Sequence, residues 1–281
     1  MKTDTTKTLN TRYKEIQWKS LFLGLNEFKG VSYTHKFGST SVLGKTQQII
    51  ADFAVSNAIF TNTARYLDIS STSAADTNLS TGAWTLLLVG LDENWLPLIE
   101  PVVLNGLTKV TTKNKFIRQF RAIVYQGGNS NPITNANIGD IKIVNSGGTD
   151  LLLQVTAGEG QTNAGFFTTP ANSYSFLMGY SMGAGRGRDV TMWLKAKHNN
   201  IANVPFVTKL KEKLYQNYIT EKYSFARFLQ IVKNSCPDAD RVELLSEKQD
   251  LVLTGKADTI NTEVSATFDI LTFEKDTPSQ L

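Results

Sequence analysis

One cysteine, Cys236, and two histidines, His35 and His198, are all that 281 residues offer to thiol or imidazole chemistry. A lone cysteine excludes a disulfide within the chain and a cysteine-built zinc site. Two histidines cannot make a histidine-rich metal centre, and no His-Glu-x-x-His pattern is present. Cys236 stands beside Pro237; as a nucleophile it would need one of those histidines next to it in space. No apolar run reaches the roughly 18 residues of a membrane-crossing helix. The opening MKTDTTKTLNTRYKE lacks the apolar core of a secretory signal, which predicts a soluble product made in a cytoplasm. Charge is scarce as well. Charged residues make up 19% of the chain and the formal net charge is +4, below the usual quarter of charged residues. The densest basic cluster, Lys209, Lys211 and Lys213, is interrupted by Glu212 and reads as a solvated strand face. No specific nucleic-acid partner is expected from it.

What is abundant is the vocabulary of sheets and turns. There are 20 glycines, and 41% of residues are apolar, enough for a sizeable core. The segment Gly82 to Gly106, GAWTLLLVGLDENWLPLIEPVVLNG, reads as a hairpin, with two apolar runs separated by Gly90-Leu91-Asp92-Glu93-Asn94 and closed by Asn105-Gly106. Strand-length runs then recur. They are expected at 49–54, 65–70, 84–89, 96–104, 116–125, 139–144, 151–155, 164–168, 173–181, 189–196 and 264–273, separated by clusters such as Gly127-Gly128-Asn129 and Gly158-Glu159-Gly160. Near the end, Val264, Ala266, Phe268 and Ile270 alternate with Ser265, Thr267 and Asp269, which gives one apolar and one polar face. Residues 206–233 hold glycine nowhere; their tyrosines and phenylalanines favour strands over a helix. The fold expected is all-β, an antiparallel β-sandwich or jelly roll.

Residues 1–45 read differently, with one short amphipathic stretch at 13–22. They are expected to form an N-terminal arm that docks on a partner; the alternative is a first strand pair of the main domain. Residues 46–281 form the β-sandwich domain, with 145–150 as the place to divide it if there are two sub-domains. The aromatics Trp18, Phe22, Phe28 and Tyr33 are the arm's candidate anchors, since buried aromatics dominate interface energies.

Several motifs imitate chemistry. Gly38 to Thr46, GSTSVLGKT, has five residues between its glycines where a phosphate-binding loop has four, and reads as a polar linker. Gly183 to Arg188, GAGRGR, lacks the spacing of a dinucleotide cradle. Its Arg186 and Arg188 are candidates for contact with an acidic partner surface. Asp92, Glu93, Glu100 and Glu159 are carboxylates of the type a glycosidase pairs across a groove, but turn positions explain Asp92 and Glu159 more simply. No catalytic residue, cofactor or metal is assigned.

A wider pattern emerges from ordered blocks: Thr81-Gly82-Ala83 leading into Val89 to Asn94; Val102 to Gly106; Val110-Thr111-Thr112 with Phe116-Ile117-Arg118; Ala157 to Thr162; and Glu247 to Leu251 followed by Val264 to Ile270. In their order and spacing, over about residues 65–275, they resemble a family of uncharacterised β-rich structural proteins from the virions of tailed phages and large viruses of aquatic microbes. The resemblance implies a non-enzymatic virion component, a capsid decoration, cement or minor capsid protein. Its implied partners are the major capsid protein, other virion proteins and further copies of itself, as a trimer or higher. The alternative is a glycan-binding module at the neck or tail, for which Trp95 and Trp193 are the candidate sugar platforms.

Overall fold

The structure is a computed structural model that describes residues 30–128, 136–185, 187–215 and 244–275, and the backbone of 219–223. Among them there is no α-helix. A short 3-10 turn, Asn57–Phe60, interrupts seventeen strands. In chain order these are β1 (Val31–Leu43), β2 (Gln48–Ile49), β3 (Leu67–Ser71), β4 (Ala83–Asp92), β5 (Pro97–Val103), β6 (Val110–Thr111), β7 (Phe116–Gly127), β8 (Ile141–Asn145), β9 (Leu151–Val155), β10 (Phe166–Thr168), β11 (Ser173–Ala184), β12 (Val190–His198), β13 (Val207–Leu214), β14 (Ile219–Tyr223), β15 (Leu244–Leu245), β16 (Gln249–Ala257) and β17 (Thr262–Glu274). Every pairing between them is antiparallel.

The local reasons are those of the sequence. In β17, Val264, Ala266, Phe268 and Ile270 are buried on one face, because successive side chains of a strand point to opposite sides. The hairpin of β4 and β5 forms in the register Leu91↔Pro97 to Thr85↔Val103. Asp92 closes its turn: Oδ1 accepts from the amides of Asn94 (2.8 Å) and Leu96 (2.9 Å). Trp95 takes the left-handed conformation there, with φ of 64°.

The strands make four sheets. Sheet I runs β1-β17-β11-β14, with β15 beside β11; sheet II runs β10-β16-β12-β13, with β2 beside β16. Sheet III runs β6-β3-β8-β9 and sheet IV β5-β4-β7. Sheets III and IV come from one uninterrupted stretch, β3 to β9. That stretch is inserted between β2 and β10, and its two ends meet: Ala51 bridges Ala164, and the Asp52 amide donates to the Asn163 carbonyl. The molecule is therefore a two-sheet unit interrupted by a second two-sheet unit. The division expected at 145–150 does not fall there. Those residues are the turn joining β8 to β9, which pair Ile141↔Val155.

The expected arm also changes. Val31–Leu43 is the long edge strand of sheet I, paired with β17 from Val31↔Phe273 to Leu43↔Thr262. The GSTSVL stretch is strand, not linker. A Cβ at Gly38 would lie 2.4 Å from the Ile50 carbonyl oxygen and 2.7 Å from the Gly165 amide nitrogen, so β1 can cross the backbone of its neighbours only where a side chain is missing. Within 206–233, the described part is strand, as β13 and β14. One contiguous apolar core runs through all four sheets, from Leu43 and Phe268 in the outer unit to Leu86, Ile143 and Leu153 in the inserted one.

Candidate interaction surfaces and the clamp between the units

The two units are joined by a buried ion pair. Arg118 on β7 donates from Nε to Asp250 Oδ1 (2.9 Å) and from Nη2 to Oδ2 (3.0 Å) on β16. Its remaining donors go to the carbonyls of Thr61 (2.6 Å) and Ile117 (2.8 Å) and to Asn62 Oδ1 (2.9 Å). Asp250 is completed by Thr168 Oγ1 (2.7 Å) and Asn199 Nδ2 (2.8 Å). The guanidinium also lies over the ring of Trp95, 4.8 Å from its centroid. Both charges are out of water, so each depends on the other and on these hydrogen bonds.

A second contact sits nearby, where the edge of sheet I meets the edge of sheet IV. Arg121 donates to the His35 carbonyl, and Lys36 Nζ donates to the Phe120 carbonyl. Lys36 is 2% exposed. Burial, with Arg121 beside it, holds its ammonium well below the ordinary lysine range.

The outward face of sheet IV is apolar. Its register puts side chains in rows: Ile99, Val89 and Arg121; then Pro101, Leu87 and Ile123; then Val103, Thr85 and Gln126. Ile99 is 63% exposed, Val103 56% and the neighbouring Tyr125 64%. The opposite face of the same strands holds Leu86, Leu88, Val102 and Ala122 in the core. Both faces of β5 are thus apolar except for Glu100, which turns inward and accepts from the amides of Lys113 (2.7 Å) and Asn114 (3.1 Å). Sequence reasoning passed over this face. Its signal was the missing alternation in LPLIEPVV, where a solvated face should have been polar.

The residues expected at interfaces scatter. Trp18, Phe22 and Phe28 lie outside the described residues, as do Arg186 and Cys236. Tyr33 belongs to strand β1, opposite Leu271. Arg188 is exposed in the turn between β11 and β12. As a sugar platform Trp95 is corrected: it is 8% exposed and capped by Arg118. Trp193 is half-buried on the outward face of sheet II, with Lys195 and Lys211 over its ring.

Among the described residues are two clefts. One, of about 280 Å³, is lined by Tyr66, Asp92, Glu93, Lys113 and Lys115 among others. The other, of about 430 Å³, lies at the neck of the insertion along Thr40, Ile49, Asp52 and Phe53. Burial raises the Asp52 carboxyl, and its Oδ1 is enclosed without a hydrogen-bond partner. Among the described residues no group of three or more His, Cys, Asp or Glu side chains could hold a metal ion, and no helix is long and apolar enough to cross a membrane. No family model, curated protein or solved structure matches the chain.

Proposed function

We propose that this chain is a non-enzymatic structural protein of a virion, of the decoration, cement or minor capsid kind, acting by burying surface against its neighbours. We read the outer unit as a jelly roll. The observation that carries this reading is strand order. Leaving aside the two-residue strands β2 and β15, eight strands, β1, β10, β11, β12, β13, β14, β16 and β17, fall in two sheets in the orders first-eighth-third-sixth and second-seventh-fourth-fifth. That order supports reading the unit as the double Greek key of a jelly roll, an architecture used in viral capsids and lectins.

The outward face of sheet IV supplies the docking surface. Its partner in this reading is a second copy of the chain. The face carries apolar side chains in three strands and one charge, Arg121, already turned to the His35 carbonyl, so two copies meet without like-charge repulsion. Fixed to the outer unit by the Arg118–Asp250 clamp, the face is presented rigidly, which lowers the entropy lost on assembly.

The test is incorporation. Particles purified from the source should contain the chain in many copies, counted by quantitative mass spectrometry. The Ile99→Asp/Val103→Asp protein should fold and fail to incorporate. Absence of the wild-type chain from particles would overturn the proposal.

A further inference from the structure

Sheet II carries a different surface. Outward positions on β12 are Thr191, Trp193, Lys195 and Lys197; β13 places Lys213 opposite Thr191 and Lys211 opposite Trp193. On the other side β16 places Lys256 opposite Thr191. Lys211, Lys213 and Lys256 are exposed, and Lys195 and Lys197 are half-buried. None of the five is ion-paired among the described residues. Glu212 alternates to the inner face, where it accepts from Tyr180 Oη at 2.9 Å. Asp250, the carboxylate opposite Lys197, is held by Arg118. Asp189 and Asp258 lie just beyond the strands, at one end.

The lysines are interleaved with rings. Lys195 and Lys211 lie 5.9 and 6.0 Å from the Trp193 ring centroid, Lys213 lies 4.8 Å from that of Tyr215, and Lys197 lies 5.9 Å from that of Phe206. Lysines on β13 alone would be explained as protection of an edge strand. That does not account for Lys195 and Lys197 on β12, which is paired on both sides, or for Lys256 on β16.

We propose that this face binds single-stranded nucleic acid without sequence preference. Lys195, Lys197, Lys211, Lys213 and Lys256 take phosphates, and Trp193 takes a base. Outward side chains of one strand repeat about every 7 Å, so the positive charge forms a track, not a point. Rows of cations with interspersed aromatics hold a flexible polyanion by counterion release and stacking. An anionic bilayer would use the same charges but would gain little from Trp193, which is recessed between two lysines. The inference does not depend on the virion reading.

The experiment titrates the full chain into a fluorescent oligothymidylate and reads anisotropy. With five phosphates neutralised, affinity falls about 100-fold between about 50 and 200 mM salt. Lys195→Gln/Lys211→Gln/Lys213→Gln lowers the logarithmic salt slope by about 2. Trp193→Ala weakens binding about 5- to 150-fold, the range expected for one stacked base. Lys113→Gln/Lys115→Gln, on the inserted unit, leaves binding unchanged. Circular dichroism melts confirm that each variant is folded, and Lys211→Gln/Lys213→Gln, at exposed positions, is the fallback that lowers the slope by about 1.4. The proposal is overturned by no binding at the lower salt, by binding indifferent to the lysine variants, or by binding indifferent to Trp193→Ala. It is equally overturned if phosphatidylserine vesicles bind through these lysines and the oligothymidylate does not.

Discussion

Removing Asp250 should weaken the molecule more than almost any other single change. In Asp250→Ala the Arg118 guanidinium stays buried and loses both bonds of its bidentate partner, at 2.9 and 3.0 Å. Thr168 loses its acceptor at the same time, and Asn199 keeps only the Lys248 carbonyl. Breaking a buried pair from one side costs about 3–5 kcal/mol, against a total stability of about 5–15 kcal/mol. At about 2–4 °C per kcal/mol for a chain of this size, the melting temperature falls by about 6–20 °C. Arg118→Met should cost a similar amount, since it leaves Asp250 unpaired and the Thr61 and Ile117 carbonyls without a donor. The double variant Arg118→Met/Asp250→Ala buries no charge, so it should be more stable than the sum of the single losses by about 3 kcal/mol. Urea denaturation measures the cycle, and calorimetry adds a second readout. With the clamp cut, the inserted and outer units should begin to melt separately. Single losses below about 1 kcal/mol that simply add would refute the claim that this pair fastens the two units.

Other expectations follow from particular residues. Ile99→Asp/Val103→Asp should shift the chain to monomer in sedimentation equilibrium while moving the melting temperature little, because both side chains face outward; loss of folding instead would contradict their placement. Gly38→Ala should cost about 1–3 kcal/mol in denaturant titrations, the usual cost of overpacking, because its Cβ meets backbone that cannot swing aside. Lys36 gives a pH signature. Its folded-state value is lowered, so between that value and the ordinary lysine range the unfolded chain binds more protons, and stability rises with pH. Lys36→Met should flatten that rise in melts run from neutral to alkaline pH; an unchanged slope would mean the ammonium is not desolvated.

The strands that could be read in advance are those whose two faces meet different surroundings. Val264 to Ile270 alternates because β17 has core on one side, and LDENW announces a turn because Asp92 can cap it. β16 could not be read this way. Asp250 is turned to Arg118 of the inserted unit, and Val252 and Thr254 are buried along with Leu251 and Leu253, so no period survives. β1 looked like a linker because Gly38, Ser39, Thr40 and Ser41 are turn residues. The need for Gly38 comes from Ile50 and Gly165, and Gly165 lies far away in sequence. The insertion itself rests on the meeting of Ala51 with Ala164, a long-range pairing that no local pattern encodes. The same holds for Trp95. It follows a turn and so reads as exposed, and only the arrival of Arg118 makes it interior. The apolar face of sheet IV was legible in principle, since Ile99, Pro101 and Val103 stand where a solvated strand would carry polar groups.

The most direct test of the account is to image particles from the source by cryo-electron microscopy and locate this chain. The account predicts regular copies on the shell, with Ile99, Pro101 and Val103 of one copy buried against another. A chain absent from the particles, or one whose sheet IV faces solvent in every copy, would contradict it.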